Sequence, residues 1–194
     1  MDVKEAIEKR RAYRSLEPVE ITGEIVMELV EAARLAPSCF NNQPWKFVFV
    51  RSKEALEKMK EALNKGNEWA RAASCIIAVF AKKEYDCVIK EREYYLLGTG
   101  LGLGQMLLRA TELGLVAHPI AGYSPEKTAE ILGIPEGFNI ITLVIVGKKS
   151  PKDNNGLLNE KQEEGEKQRP ERMARENIYS VDRYDDRLDT KAEH

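Results

Sequence analysis

Two near-continuous apolar runs, Cys75 to Ala81 and Ile140 to Val146, constrain the fold of this chain more than any other feature. Each run has the length of a β-strand, and strands that are apolar on both faces are usually covered on both faces. The sequence therefore predicts a sheet sandwiched between helices. An aromatic and β-branched run, Trp45 to Val50, predicts a further strand.

Helices are predicted from capping residues, apolar spacing and proline positions. The predicted helices are Val3 to about Arg11, Thr22 (the cap) to Ala36, Ser52 to roughly Lys65, about Asp86 to Leu113, and Pro125 to Leu132 after a Ser124 cap. The fourth contains Gly98, Gly100, Gly102 and Gly104, which do not match the G-x-G-x-x-G nucleotide fingerprint. Each glycine destabilises a helix by ~1 kcal/mol, so we expect another helix backbone, for example across a subunit interface, to approach closely there.

The charge balance argues against a protein built mainly to hold nucleic acid. Among 194 residues, 30 Lys+Arg stand against 32 Asp+Glu, which gives a formal net charge of −2. Binding by counterion release needs a strongly basic surface. Any anion site in this chain must therefore be local.

Cysteine usage and hydropathy suggest a cytoplasmic protein. Cys39, Cys75 and Cys87 are odd in number and lack C-x-x-C spacing, so we expect neither a disulfide framework nor a zinc site. No apolar run approaches the ~18 residues of a membrane span. The first residues do not resemble a signal peptide. A reducing, cytoplasmic setting without membrane association is the resulting expectation.

The composition changes near residue 150. Residues 151–194 carry 9 Lys+Arg and 12 Asp+Glu with few apolar side chains, too few for a core of their own. We therefore divide the chain into a core, residues 1–150, and a charged C-terminal arm, residues 151–194. Ile178, Tyr179, Val181 and Tyr184 would anchor this arm on the core or on a second subunit, and we favour the second subunit.

An N-terminal cluster, Lys9 to Arg14, places four cations in six positions without an acid. On a helix, Arg10 and Arg14 would share a face at i,i+4 and repel each other unless an anion lay between them. Charge-assisted hydrogen bonds to a phosphate contribute about 1.5 to 3 kcal/mol each. The alternative is that these cations favour the helix dipole and face water. Lys167 and Arg169 form a second basic pair, for which solvated charge is also an alternative.

Two connections could bind a ligand. The loop from Pro37 to Trp45 holds many amide and hydroxyl groups between two prolines, which suits a flat heterocycle, although turn chemistry explains part of the pattern. Catalysis by Cys39 is a weak alternative, because His118 and His194 are the only histidines. The turn from Pro119 to Gly122 could present N–H groups to a ligand or be a plain strand-to-helix connection. His118 is expected to be structural or solvent-facing.

The order of these motifs resembles the nitroreductase family of FMN-dependent flavoenzymes over nearly the whole chain. The arginine cluster and the Pro37 to Trp45 loop carry most of the resemblance. It implies an α+β sandwich with a mixed central sheet flanked by helices. It also implies an obligate, intertwined homodimer with FMN bound at the subunit interface.

The resemblance assigns cofactor contacts by position. Arg10, Arg11, Ala12 and Arg14 would hold the phosphate and ribityl side of FMN, and Lys167 and Arg169 would add a C-terminal phosphate pair. Pro37, Ser38, Cys39 and Asn41 would come from the other subunit and pack on the isoalloxazine edge. Pro119, Ile120, Ala121 and Gly122 would lie against the reactive face of the ring. No side chain is assigned as a catalytic acid or base, and no metal is implied.

The activity that the resemblance implies is hydride transfer by a ping-pong mechanism from NADH or NADPH, through flavin N5, to an electron-poor acceptor such as a nitroaromatic or a quinone. A specialised branch that reduces enones, removes halogen or fragments flavin is an alternative. Such branches carry a lid insertion, whereas this chain has only a modest connection from Lys82 to Tyr95. A non-enzymatic module that binds nucleic acid through a basic helix is the alternative from another class.

Overall fold

A computed structural model describes residues 1–151 and 156–192. The remaining arm residues, His194 among them, lie outside this description. The helices are α1 (Val3–Lys9), α2 (Gly23–Arg34), α3 (Lys53–Met59), α4 (Tyr94–Glu112), α5 (Pro125–Leu132) and α6 (Glu160–Lys167). The strands are β1 (Leu16–Glu17), β2 (Lys46–Val50), β3 (Cys75–Ala81), β4 (Val88–Ile89), β5 (Arg92–Glu93), β6 (Val116–Ile120) and β7 (Asn139–Lys149).

The central strand of the main sheet is β7. It pairs with β3 along one edge, and β3 in turn pairs with β2. Along its other edge β7 pairs with β6. At Lys148 and Lys149, β7 also pairs with β1. Every one of these pairings is antiparallel, so the expected mixed sheet does not arise among the described residues. The strands that run in the same direction, β3 and β6, are kept apart by β7.

The sheet is covered on both faces, which confirms the predicted α+β sandwich. All seven residues of β3 are buried. Ile76, Ala78 and Phe80 pack in one apolar cluster with residues of α3 and α5. The alternate residues Ile77 and Val79 pack in the second cluster with α2 and α4. This alternation follows from the two-residue period of a strand.

Side-chain caps set the starts of two helices as predicted. Thr22 Oγ1 accepts a hydrogen bond from the Ile25 N–H at 3.2 Å and begins α2. Ser124 Oγ accepts from the Lys127 N–H at 3.2 Å and begins α5, with Pro125 in the first turn. These bonds satisfy N–H groups that lack partners inside a helix. Gly133, at φ 64°, ends α5 in the left-handed conformation that glycine favours.

The prediction that Arg10 and Arg14 share a helix face is wrong. Helix α1 ends at Lys9, and Arg10 is already extended at φ −58° and ψ 119°. The chain stays non-helical until Leu16 and Glu17 join the sheet beside β7. Because of this pairing, Arg10 to Arg14 follow an extended path outside the helix. Residues four apart in an extended segment do not share a face as they do in a helix.

The predicted long helix begins later than expected, at Tyr94 rather than near Asp86. Strands β4 and β5 form a small hairpin in its place. Its turn residues, Lys90 at φ 49° and Glu91 at φ 68°, have the positive φ values of a two-residue hairpin turn. Neither is a glycine, which is why the sequence did not indicate a turn.

The glycines of α4 have two different surroundings. A Cβ on Gly102 would lie 3.3 Å from Trp45 Cδ2 and 3.5 Å from the Ala33 carbonyl oxygen of α2. The expected close approach of another helix is therefore present inside the chain. Gly100 and Gly104 face open space, since no heavy atom lies within 4 Å of a Cβ built there. No helix in the described part of the chain is long and apolar enough to cross a membrane.

His118 is a core residue of β6. Its side chain is buried, its ring stacks on Trp69 with centroids 4.7 Å apart, and Nδ1 lies 3.1 Å from the Tyr13 carbonyl oxygen. Burial lowers the pKa of His118 from 6.5 to about 4. The ring is therefore neutral at pH 7, and Nδ1–H can donate to Tyr13.

We predict that His118 makes the fold sensitive to acid. In the unfolded chain His118 takes up a proton as the pH falls through 6.5, whereas the folded chain resists protonation until about pH 4. Stability is therefore lost as the pH falls between these values, by about 3 kcal/mol for this group. His118→Phe keeps a ring on Trp69 without a titrating group. Urea unfolding across this range should give a shallower pH slope for the variant; equal slopes would contradict the assignment.

Candidate functional site

The N-terminal segment and the C-terminal arm meet at a pocket of about 260 Å³, called here the arginine pocket. The core contributes Arg10, Arg11, Ala12 and Arg14, and the arm contributes Gly165, Arg169, Pro170 and Arg172. The structure thus brings the predicted N-terminal cluster together with Arg169 of the arm, over a separation of more than 150 residues.

The arginine pocket concentrates the positive charge of five arginines. Within residues 1–151 and 156–192, none of its five arginines forms an ion pair. Burial, followed by the neighbouring charges of Arg169 and Arg172, lowers the pKa of the Arg10 guanidinium below its ordinary value. Like charges held together in a concave site repel each other, and an anion bound between them relieves that repulsion.

Two of the arginines join the N-terminal segment to the arm through hydrogen bonds. Arg11 Nη2 donates to the carbonyl oxygens of Gly165, Glu166 and Gln168, the last at 2.7 Å. Arg169 Nη2 donates to the carbonyl oxygens of Glu8 and Arg10. Since the last carbonyls of a helix lack partners within it, each arginine caps the helix of the opposite segment.

The arm residues that line the arginine pocket are not all the ones that the sequence predicted. Lys167 does not line the arginine pocket, and its ammonium pairs with Glu164 on the exposed side of α6. Arg172 lines the pocket, although the sequence offered no signal that separates it from the other basic residues of the arm.

The Pro37 to Trp45 loop lies beside the N-terminus of α4. Pro37, Ser38 and Cys39 line a second, separate groove of about 210 Å³ with Tyr94, Leu97, Gly98 and Leu101. Ser38 Oγ accepts from the Gln43 N–H at 2.9 Å and closes the loop. Phe40, Asn41 and Gln43 have positive φ values of 47°, 60° and 49°. Non-glycine residues rarely adopt this conformation, and it concentrates at functional sites.

Cys39 and Cys87 are joined by a disulfide, so the expectation that the cysteines form none is wrong for this pair. The two residues are 48 apart in sequence, and the hairpin of β4 and β5 brings Cys87 to the loop. Sequence spacing carries no trace of this contact. Cys39 is therefore not a free nucleophile, and the argument from cysteine usage to a reducing compartment loses its support. Cys75 is a buried free thiol whose pKa burial raises to about 12.

The turn after β6 depends on a close approach between Gly122 and Asn67. The Gly122 carbonyl oxygen accepts from the Asn64 N–H at 3.1 Å and from Asn67 Nδ2 at 2.8 Å. Asn67 Oδ1 accepts from Trp69 Nε1 at 3.1 Å. A Cβ on Gly122 would lie 2.3 Å from Asn67 Nδ2, so a larger residue there must displace the Asn67 side chain. Asn67, which the sequence prediction left out, thus supports the turn from Pro119 to Gly122, where Ala121 is exposed.

Most of the predicted site residues fall into three places in one chain. The arginine segment and Arg169 share the arginine pocket, Pro37, Ser38 and Cys39 line the groove beside α4, and Pro119 to Gly122 span the end of β6 and the turn after it. Asn41 and Lys167 line neither pocket. The two pockets have no lining residue in common.

The fold is an α+β sandwich with an arginine-lined pocket where the N-terminal segment meets the arm. A sequence model of the Nitroreductase family matches residues 7–73 and 64–148, and the chain belongs to this family of oxidoreductase enzymes. A relative from Archaeoglobus fulgidus, which carries the name NADH dehydrogenase/NAD(P)H nitroreductase, is 31% identical over 175 residues, covering 86% of this chain and 93% of its own.

Solved structures share the fold. A nitroreductase family protein from Clostridium novyi NT has a TM-score of 0.72 and 27% identity, covering 81% of this chain and 92% of its own. A protein from Exiguobacterium sibiricum, solved in complex with FMN, has a TM-score of 0.69 and 24% identity, covering 76% of this chain and 88% of its own.

We predict one free thiol per chain before reduction. Protein purified without reductant and then denatured should react with a thiol reagent at Cys75 alone, and reduction should release the thiols of Cys39 and Cys87 as well. A Cys75→Ala control should show no thiol before reduction. Three reactive thiols in the unreduced protein would show that the disulfide is absent.

We predict that Gly122→Ala lowers the free energy of unfolding by about 1 to 3 kcal/mol. The new methyl group displaces the Asn67 amide and breaks its bonds to Gly122 and Trp69, which leaves buried polar groups unpaired. Gly23→Ala is the matched control, because no heavy atom lies within 4 Å of a Cβ there. Urea unfolding measures both variants, and equal effects would refute the proposed crowding at Gly122.

Proposed function

We propose that the chain is an FMN-dependent NAD(P)H oxidoreductase that reduces an electron-poor acceptor such as a nitroaromatic or a quinone. The observation that carries the proposal is the arginine pocket, where five arginines converge and none pairs with a carboxylate of the described residues. The FMN complex of a protein with the same fold and the names of the relatives support the choice of cofactor and donor.

The residues of the arginine pocket fit the phosphate of FMN. A phosphate carries about −1.5 to −2 charges at neutral pH, and planar guanidinium groups match its oxygens in pairs. Arg10, Arg14 and Arg172 have side chains free of any hydrogen bond or ion pair among the described residues. Arg169 uses one terminal nitrogen on carbonyls. Arg11 uses Nη2 on carbonyls and Nη1 on the Tyr13 hydroxyl at 3.2 Å. Each guanidinium has five N–H groups, so both keep further donors for a phosphate.

Ala12 and Lys167 take smaller roles in this proposal. Ala12 can offer only its backbone. Lys167 can exchange its pairing with Glu164 for the phosphate at little loss, because both side chains are 69% exposed and surface ion pairs contribute at most about 1 kcal/mol.

We propose that Pro37, Ser38, Cys39 and Asn41 complete the cofactor site of a second copy in a homodimer. Several apolar side chains are exposed in the single chain, among them Phe40 at 87% and Leu97 at 56% exposure. Ile178, Tyr179, Val181 and Tyr184 of the arm are likewise exposed. Large apolar side chains exposed on the loop, on α4 and on the arm support an arm that packs on a partner.

FMN, when bound, supplies the chemistry that accepts hydride from NADH or NADPH and passes it to the acceptor. The protein binds the phosphate in the arginine pocket and orients the ring with the Pro119 to Gly122 turn. The proposal assigns no acid or base side chain to the reaction. The short β4–β5 hairpin forms the Lys82 to Tyr95 connection, which supports an open substrate site.

We predict that Arg10→Ala weakens FMN binding by about 10- to 100-fold, since one charge-assisted hydrogen bond contributes about 1.5 to 3 kcal/mol. Riboflavin, which has the same ring without the phosphate, should bind the variant and the original protein almost equally. Quenching of flavin fluorescence at fixed ionic strength measures both affinities.

Lys58→Ala is the matched control for this experiment. Lys58 is an exposed cation of α3, and its removal changes the net charge by the same amount. The control should bind FMN like the original protein. A purified protein that takes up no FMN, or an Arg10→Ala variant with undiminished affinity, would refute the proposed function.

A further inference from the structure

Glu166 joins the C-terminal arm to the core at the edge of the arginine pocket. It lies on α6, and its side chain is only 9% exposed. Oε1 accepts hydrogen bonds from the N–H groups of Arg14 and of Ser15, the latter at 2.8 Å. Oε2 accepts from Ser15 Oγ and from Lys149 Nζ at 3.0 Å. A single carboxylate thus holds three core residues from two parts of the chain.

The contacts of Glu166 leave the charge of the arginine pocket intact. Its ion pair among the described residues is with Lys149, which does not line the pocket, and its bond to Arg14 is to the backbone. Burial alone would raise the pKa of Glu166, but the hydrogen bonds from Ser15, Arg14 and Lys149 outweigh burial and lower it. The carboxylate therefore stays ionised, and its ion pair is with Lys149 and not with an arginine of the pocket.

The position of Glu166 sets the position of the cations around it. Toward the core, it fixes the backbone of Arg14, whose guanidinium lines the pocket. Toward the arm, it lies three residues before Arg169 and six before Arg172, and Arg11 caps the same turn of α6. Without the carboxylate, the arm would still be held by the hydrogen bonds of Arg11 and Arg169 to carbonyls. Gln162 Nε2, which donates to the Gly66 carbonyl oxygen at 2.9 Å, and the buried Leu158 hold it farther from the arginine pocket.

We infer that Glu166 is a positioning residue for anion binding: it docks the arm so that Arg169 and Arg172 close the pocket over a phosphate held by Arg10 and Arg14. This inference rests on the proposed function. It assigns Glu166 and Arg172 roles that the family resemblance did not supply. The inference also gives the arm two separate roles. Glu166 docks the arm on the core, and Arg169 and Arg172 bind the anion.

The test measures FMN and riboflavin affinity for Glu166→Ala by quenching of flavin fluorescence. We expect FMN affinity to fall at least about tenfold while riboflavin affinity changes less than about threefold. A general loss of structure would instead weaken both ligands alike. Glu160→Ala, which removes an exposed acid from the first turn of the same helix, is the matched control and should bind FMN normally.

A double-mutant cycle with Arg172→Ala tests the mechanism. If Glu166 acts by bringing Arg172 to the phosphate, Arg172→Ala should weaken FMN binding in the original protein and have little further effect in the Glu166→Ala background. Additive effects would overturn the inference. Should Glu166→Ala fold poorly, Ser15→Ala removes one donor to the carboxylate and should shift the ratio of FMN to riboflavin affinity in the same direction, by less.

Failure of the inference and failure of the proposed function give different results. If the original protein binds no FMN, the proposed function fails. If the original protein binds FMN and Glu166→Ala binds it equally well, only the role of Glu166 fails.

Discussion

The antiparallel pairing of β3 with β7 is the contact on which the other elements depend. Both strands are buried on both faces, so helices must cover the sheet from both sides. Strand β7 extends beyond β6 to pair Lys148 and Lys149 with β1. This extension sets the arginine segment, which precedes β1, beside the arm, which follows β7. The site at the sheet edge is therefore a result of strand lengths.

Local patterns predicted the parts of the fold that local chemistry determines. The apolar runs of β3 and β7 and the Thr22 and Ser124 caps are readable in a few neighbouring residues, and the structure has them. The extended path of Arg10 to Arg14 was missed because it depends on pairing with residues at the other end of the core. The β4–β5 hairpin was missed because its turn uses Lys90 and Glu91 in a conformation that sequence assigns to glycine.

The residues of the candidate site also form two groups: those that the local sequence predicts and those that only the docked arm distinguishes. A cluster such as Arg10, Arg11 and Arg14 is visible in sequence because like charges are adjacent and no acid is among them. Arg172 and Glu166 were not visible, since each is one of many charges in the arm and only the docked arm distinguishes them. A near-neutral chain can thus hold a strongly cationic pocket, because an anion responds most to the charges that lie close to it.

The Cys39–Cys87 disulfide closes a covalent ring that contains β2, α3 and β3. A cross-link over this separation reduces the entropy of the unfolded chain and stabilises the fold by about 4 kcal/mol. Both arginine-bearing segments lie outside the ring. Reinforcement of the sheet by the cross-link is therefore independent of the hydrogen bonds that close the pocket.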